Sequence, residues 1–147
     1  MTFYESIMPL QSYFDSGLDE PGRQTLTFNV LVTKAPSDTF EEELIAVLIA
    51  GGAATAFGTD VFCSSSAQLP NIPDDPATDT GFLEVIAGGG MGPMNTQNEK
   101  TVTARDRPAA QIIAHAVSYA AAKTKIIAAY KAMRAVINTN VTPVPTP

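Results

Sequence analysis

The clearest hydrophobic pattern in this chain is a strict alternation that begins at Thr25. Four apolar residues fall on one side of it: Leu26, Phe28, Val30 and Val32. Alternation with a period of two is typical of a strand with one buried face. The pattern therefore predicts a half-buried strand. A β-prone run over residues 3–8 predicts a second strand, which should end at Pro9 because proline is tolerated only at strand ends and edges.

The segment between these two strands, SYFDSGLDEPGRQ, combines turn residues with apolar side chains. Its Ser, Asp, Gly and Pro-Gly positions favour turns. Its apolar residues Tyr13, Phe14 and Leu18 would hold it against the body of the protein. We therefore expect an ordered loop that joins the two strands.

Two segments have apolar residues at helical spacing. The first is predicted to run from Thr39 to Ala50, with Thr39 and Glu42 as a capping box and Gly51-Gly52 at its end. The second is predicted over residues 118–138, with apolar positions at Tyr119, Ile126, Tyr130, Met133 and Ile137. The tail VTPVPTP contains three prolines and should be extended.

Three further apolar runs predict strands over residues 60–64, 82–87 and 110–117. The sequence thus predicts an α+β fold in a single small domain. Its mixed or mostly antiparallel sheet should have about five strands, with two helices packed on one face. The domain should cover residues 1–138, followed by a Pro-rich tail over 139–147.

The charge is distributed very unevenly along the chain. The net charge is −6, yet residues 1–99 contain 14 acidic and two basic residues, whereas residues 100–147 contain one acidic and seven basic. Opposite charges on one small body suit contacts between unlike faces of identical subunits. Ordinary solvated faces are the alternative interpretation. The acidic total argues against tight nucleic-acid binding, which depends largely on Lys and Arg.

No set of residues in the sequence has the spacing of a known catalytic, cofactor or metal site. Cys63 is the only cysteine, so an internal disulfide is impossible, and His115 is the only histidine, which excludes a multi-histidine zinc site. The run GGGMG lacks the Lys-Ser/Thr of a phosphate-binding loop. Asp74, Asp75 and Asp79 lack the glycine and closing glutamate of a calcium loop. We therefore predict no catalytic, cofactor-binding or metal-binding residues.

The sequence also shows no signal peptide and no apolar run of about 18 to 20 residues, the length needed to cross a bilayer. We expect a protein that is neither secreted nor membrane-embedded.

Six residues are candidates for contacts between subunits. Arg105, Asp106 and Arg107 form a charged approach to a predicted strand, His115 lies in that strand, and Lys123 and Arg134 lie on exposed positions of the second helix. A local ion pair is the alternative for the first three, and a packed core residue is the alternative for His115.

Several segments resemble the tail terminator (minor capsid) proteins of long-tailed bacteriophages. The segments TFEEELIAVLIA with FGTDVFCSSSAQLP, FLEVIAGGGMGP, and RPAAQIIAHAVSYAAAKTKIIAAYKAMRAVIN resemble the family's N-terminal part and cover residues 39–138. The segment FYESIMPLQSYFDSGLDEPGRQTLTFNV resembles its closing strand pair, yet it lies within residues 1–34. The order is thus that of a circularly permuted relative. Such a permutation requires the original ends to lie close together.

The resemblance implies a structural virion protein without enzymatic activity or cofactors. It would be made in the host cytoplasm and would form a ring, a homohexamer, at the head-proximal end of the tail. The ring would cap the tail tube protein, stop tube polymerisation and form the joint to a neck or head-completion protein, while DNA passes through its lumen without sequence-specific binding. It would contact no membrane. A neck or head-completion protein, which joins head to tail, is the first alternative, and a small enzyme is the second.

Overall fold

The computed structural model describes residues 1–19, 22–63, 81–94 and 105–145. In chain order the elements are β1 (Thr2–Pro9), β2 (Phe14–Leu18), β3 (Gln24–Lys34), α1 (Phe40–Ala50), β4 (Val61–Cys63), β5 (Phe82–Met94), β6 (Arg105–Ala116), α2 (Tyr119–Arg134) and β7 (Ile137–Val141). The predicted α+β single domain with two helices and a mixed sheet is confirmed.

The seven strands in the described part of the chain belong to one sheet, and β3 lies at its centre. The order is β4-β5-β6-β3-β1-β7, and β2 pairs with β3 beyond the end of β1. Both edges of β3 are paired with other strands. The apolar residues of the alternation that begins at Thr25 are buried on one face of this central strand. Every pair of strands is antiparallel except β4 with β5.

The sheet curls around the two helices. Helix α2 packs on β6, β3 and β1, whereas α1 contacts α2, β4, β5 and also β7. Because β4 and β7 are the two end strands of the sheet, α1 can touch both only if the sheet curves. Apolar residues of the sheet and of both helices are buried between them, among them Leu26, Phe28, Leu48, Ile112, Ile126 and Met133. Burial of this apolar surface is the main force that stabilises the fold.

Close contact between the helices depends on small residues. A Cβ added to Gly51, at the end of α1, would lie 2.4 Å from the Cβ of Ala132 in α2. Helix α2 begins at Ser118, whose hydroxyl accepts a hydrogen bond from the Ala121 amide at 3.2 Å. The predicted capping box at Thr39 does not form, because Thr39 makes no side-chain cap hydrogen bond.

The sheet has more strands than the five or so that the sequence predicts. Residues 14–18 form β2 within the segment interpreted as a loop, because Phe14 and Leu18 pair with Thr27 and Gln24. Helix α2 ends at Arg134, earlier than predicted, and β7 follows over residues that the sequence assigned to the helix and the tail. Asn138 in β7 has a φ of 47°.

Strands β5 and β6 form a long antiparallel hairpin. Residues 88–93 of β5 are exposed, and β5 continues through the glycine run, beyond the strand that the sequence predicts over residues 82–87. Gly90 is required here: its φ is 106°, and an added Cβ would lie 2.4 Å from the Arg107 carbonyl oxygen. The predicted Asp60–Ser64 strand is present as β4, whereas Ser64, the acidic loop after it and most of the polar segment 94–104 lie outside the described residues.

Candidate functional site

A histidine between two carboxylates lies on the outer face of the sheet, opposite the helices. In the His115 ring, Nε2 is 2.8 Å from Oε2 of Glu84 and Nδ1 is 2.9 Å from Oδ2 of Asp19. His115 and Glu84 are each 8% exposed, so this is a buried polar cluster. It links β6, β5 and the turn after β2, three segments that are far apart in sequence.

An arginine and an aromatic ring complete this cluster. Arg23 donates through Nε to Oδ2 of Asp19 at 2.9 Å, and its backbone amide donates to Oδ1 at 2.7 Å. Its guanidinium carbon lies 4.7 Å from the centre of the Phe82 ring. That ring stacks on His115, with ring centres 4.5 Å apart and planes 9° apart. We call Asp19, Arg23, Phe82, Glu84 and His115 the histidine cluster.

Hydrogen bonds decide the ionisation of Asp19. Burial alone would raise the pKa of this carboxyl, but hydrogen bonds from His115 and Arg23 and the charge of Arg23 lower it below its usual value. Both carboxylates can accept a hydrogen bond from the imidazole at the same time only if both ring nitrogens carry a hydrogen.

This arrangement suits a structural clamp. A general base needs a ring nitrogen that is available to its substrate, and both nitrogens of His115 are engaged. The nearest hydroxyl by register is that of Thr25, which pairs with His115 in the sheet. It hydrogen-bonds to the Gly17 carbonyl at 3.0 Å and to Ser16 at 2.8 Å. The cluster thus attaches the turn after β2 to the outer face of the sheet.

A second buried charge lies at the other end of β3. The side chain of Lys34 is 1% exposed and donates to the Ala35 carbonyl at 2.8 Å and to the Ser37 hydroxyl at 2.7 Å. Ser37 in turn donates to Glu43 in α1, whose carboxylate oxygens lie 2.6 and 3.0 Å away. We call Lys34, Ser37 and Glu43 the lysine cluster. It fixes the loop between β3 and α1.

Burial dominates the electrostatics of the lysine cluster. It lowers the pKa of Lys34, while the charges of Glu43, Asp106 and Asp38 act in the opposite direction. Tyr4 faces the same region, and its pKa is raised by burial first and by the charge of Glu43 second. A shallow depression of about 270 Å³ adjoins the cluster, lined in part by Lys34, Ser37, Phe40, Asp106 and Arg107.

The charged residues 105–107 are the first residues of β6, where they pair with the end of β5, and they are engaged within the chain. Arg105 lies 3.6 Å from Glu5 and over the ring of Phe3. Arg107 donates through Nε to the Gly92 carbonyl at 2.8 Å. Asp106 is the register partner of Lys34. These contacts are the local alternative that the sequence left open, and each of the three residues remains partly exposed.

The remaining candidates lie on α2, where Lys123 and Arg134 are exposed. Arg134 lies 5.6 Å from the ring centre of Tyr130, and neither residue takes part in a salt bridge within the described part of the chain. Lys125 differs, because it is half-buried and reaches Asp60 at 3.3 Å. The structure therefore brings His115 into a buried cluster and leaves a cationic surface along α2.

Sequence reasoning missed most partners in the two clusters: Asp19, Arg23 and Glu84 around the histidine, and Lys34 and Glu43 around the lysine. A signal for Glu84 exists, since it is the one charged residue in the apolar run FLEVIA. Lys34 likewise continues the buried alternation of β3 by one step. A charged residue at a position that the pattern assigns to the core requires a partner.

In the described ranges, no group of three or more His, Cys, Asp or Glu side chains is arranged so that it could hold a metal ion, because the two carboxylates at His115 bind its opposite ring nitrogens. Of the two described helices, neither is long and apolar enough to span a bilayer. Comparisons with models of known protein families, with curated proteins and with solved structures found no match.

Proposed function

We propose that this chain is a structural protein of a phage tail, a tail terminator that assembles as a ring on the end of the tail tube. The ring stops tube polymerisation and forms the joint to the head or neck. The protein performs no catalysis in this role. The proposal begins with the resemblance of its segments to that family.

The observation that carries the proposal is the pairing of β1 with β7. Thr2 pairs with Val141 and Phe3 with Asn140, so the strand over residues 2–9 lies beside the strand over residues 137–141. A permuted relative requires this adjacency, because in the family's order the segment that resembles the closing strands follows the long helix directly. The other junction, residues 35–38, is a short surface loop in which Pro36 and Asp38 are exposed.

The distribution of charge supports assembly between unlike faces. Exposed cations of α2, such as Lys123 and Arg134, lie on one element, whereas exposed acidic residues such as Glu5 and Asp15 lie on β1 and β2. Contacts between unlike surfaces of identical subunits close into rings when the rotation between subunits permits.

The test is to measure the mass of the purified protein by light scattering and to image it with tail tubes of the same phage by electron microscopy. We expect a closed ring, or a ring-shaped cap on one end of each tube. A monomer that never binds tubes would overturn the proposal. A ring that ignores tubes and binds the portal side of the head would instead identify a neck protein.

A further inference from the structure

The ammonium group of Lys34 is buried, yet no carboxylate of the described chain contacts it. Lys34 is 1% exposed and forms no salt bridge with any residue that the structure describes. The charges of Glu43, Asp106 and Asp38 act on it from a greater distance. Buried charges are normally paired directly, because burial removes their hydration. A counter-ion from outside the chain would complete the pairing of Lys34.

The hydrogen bonds of Lys34 leave one of its donors available. An ammonium group has three N–H donors. Two of them serve the Ala35 carbonyl oxygen at 2.8 Å and the Ser37 hydroxyl at 2.7 Å. Nζ donates to no other residue of the described ranges, so the third N–H can serve a ligand.

This lysine lines the depression of about 270 Å³ beside the lysine cluster, and a second cation lines it as well. Arg107 donates through Nε to the Gly92 carbonyl. The two terminal nitrogens of its guanidinium donate to no residue in the described part of the chain. Two cations from the neighbouring strands β3 and β6 therefore reach one depression, and each has a donor available for an anion.

The remaining lining of the depression limits the kind of anion that fits. Most of it is apolar or without a side chain: Phe40, Gly89, Met91, Pro93 and Pro108. Asp106 also lines the depression and opposes negative charge. This carboxylate repels a dianion such as phosphate more strongly than a monoanion. The lining therefore suits a monocarboxylate with a small apolar body.

We propose that this depression binds a small organic carboxylate. Its oxygens accept hydrogen bonds from Nζ of Lys34 and from the Arg107 guanidinium, and its apolar body lies against Phe40 and Met91. Hydrogen bonds from ammonium and guanidinium groups to carboxylates are among the strong ones in proteins. The site does not depend on ring assembly, so it adds a ligand to the proposed structural role.

The first experiment titrates the isotope-labelled protein with benzoate and follows its amide NMR signals. We expect saturable shifts at Ser37, Phe40 and Gly89 and at the side-chain Nε–H of Arg107. Benzamide has the same shape without the charge and should bind at least about tenfold more weakly, because it forms no charge-assisted hydrogen bonds as an acceptor. Inorganic phosphate should also bind more weakly than benzoate.

The second experiment changes the charges at the depression. Arg107→Gln should weaken benzoate binding at least about tenfold, since it removes one cation. Arg105→Gln is the matched control, because Arg105 is a partly exposed arginine of the same strand that does not line the depression. Asp106→Asn should strengthen benzoate binding a few-fold and phosphate binding more than that. Circular dichroism verifies that each variant is folded.

Three results would overturn the inference. One is the absence of saturable shifts at these residues with benzoate at millimolar concentration. Another is equal binding of benzoate and benzamide, which would show an apolar contact only. The third is an equal loss in Arg107→Gln and Arg105→Gln, which would show general attraction of anions to the surface. The proposed ring on the tail tube is tested by mass and imaging, so it stands or fails separately.

Discussion

The two ends of β3 each bury a cation, but they do so in different ways. At the start of the strand, Arg23 pairs directly with the Asp19 carboxylate. His115 contacts the carboxylates of Asp19 and Glu84, which lie 96 and 31 residues before it in the sequence. At its end, Lys34 reaches its own neighbour Ala35 and then Glu43 through the Ser37 hydroxyl. The histidine cluster therefore fixes tertiary structure, whereas the lysine cluster fixes a local loop.

This difference indicates at which stage of folding each cluster can form. A local cluster can form as soon as β3 and α1 meet, since its residues are close in sequence. The histidine cluster can form only after β5, β6 and the turn after β2 have taken their final register. We therefore expect the lysine cluster to affect stability alone, and the histidine cluster to affect the position of β2 as well.

The largest effect should come from removing the buried lysine charge. Lys34→Met removes the cation that Ser37 links to the fully buried Glu43 carboxylate, and a buried charge that loses its compensation costs about 3 to 5 kcal/mol. Urea denaturation measures the loss of unfolding free energy. Lys34→Met with Glu43→Gln should restore much of it. The exposed control Lys123→Met should change stability by less than about 0.5 kcal/mol.

A smaller loss is expected at the histidine cluster. His115→Phe removes hydrogen bonds to two carboxylates and should cost about 2 to 3 kcal/mol in unfolding free energy. His115→Gln keeps one donor and should lose less. Amide hydrogen exchange should show faster exchange in β2 for His115→Phe but not for Lys34→Met. Equal exchange in both variants would contradict the assignment of β2 to this cluster.

Both clusters should make the free energy of unfolding rise with pH, the histidine cluster in the acid range and the lysine cluster in the alkaline range. The lowered pKa of Asp19 means that the folded state binds fewer protons than the unfolded state near and below the usual aspartate range. Its stabilisation is thus present above that range and is lost on acidification. The lowered pKa of Lys34 means that stability rises with pH as the usual lysine pKa is approached from below.

Denaturation midpoints measured across pH test both signs. Asp19→Asn should flatten the acid side of the profile only, and Lys34→Met should flatten the alkaline side only. Loss of both slopes in one variant would show that the clusters are coupled.

The smallest effect should come from the hydroxyls that attach β2 to β3. The Ser16 hydroxyl lies 2.8 Å from that of Thr25 and 2.7 Å from that of Thr27. Ser16→Ala should lower the unfolding free energy by about 0.5 to 1 kcal/mol. Ser12→Ala is the matched control, because Ser12 is exposed and outside the strand. An equal loss in both would show that these bonds are not specific to the pairing of β2.

The sequence was sufficient to predict the elements with strong periodicity. The alternation of β3 and the apolar spacing of both helices identified part of the core, because each pattern is local and repeated. Tyr119 and Ile137, predicted on the apolar face of the second helix, are exposed instead. The sequence could not predict β2, because residues such as Asp15 and Gly17 favour a turn. The pairing of this strand with β3 also includes a register shift between these two residues. The sequence also could not predict β7, because the exposed INTNV lacks an apolar pattern of its own.

The charged clusters were not predicted for a different reason. Whether Glu84 meets His115 depends on the register between β5 and β6, and whether Asp19 meets it depends on the turn after β2. Register is a property of the assembled sheet, so no window of sequence contains it. The six candidate interface residues were chosen from local charge and exposure, and whether they meet a second copy stays a prediction.

The pairing of β1 with β7 has a mechanical consequence. Residues 2 and 141 face each other at the same end of an antiparallel pair. A load applied through these two positions would pull the strands apart like a zipper and break their hydrogen bonds one after another instead of together.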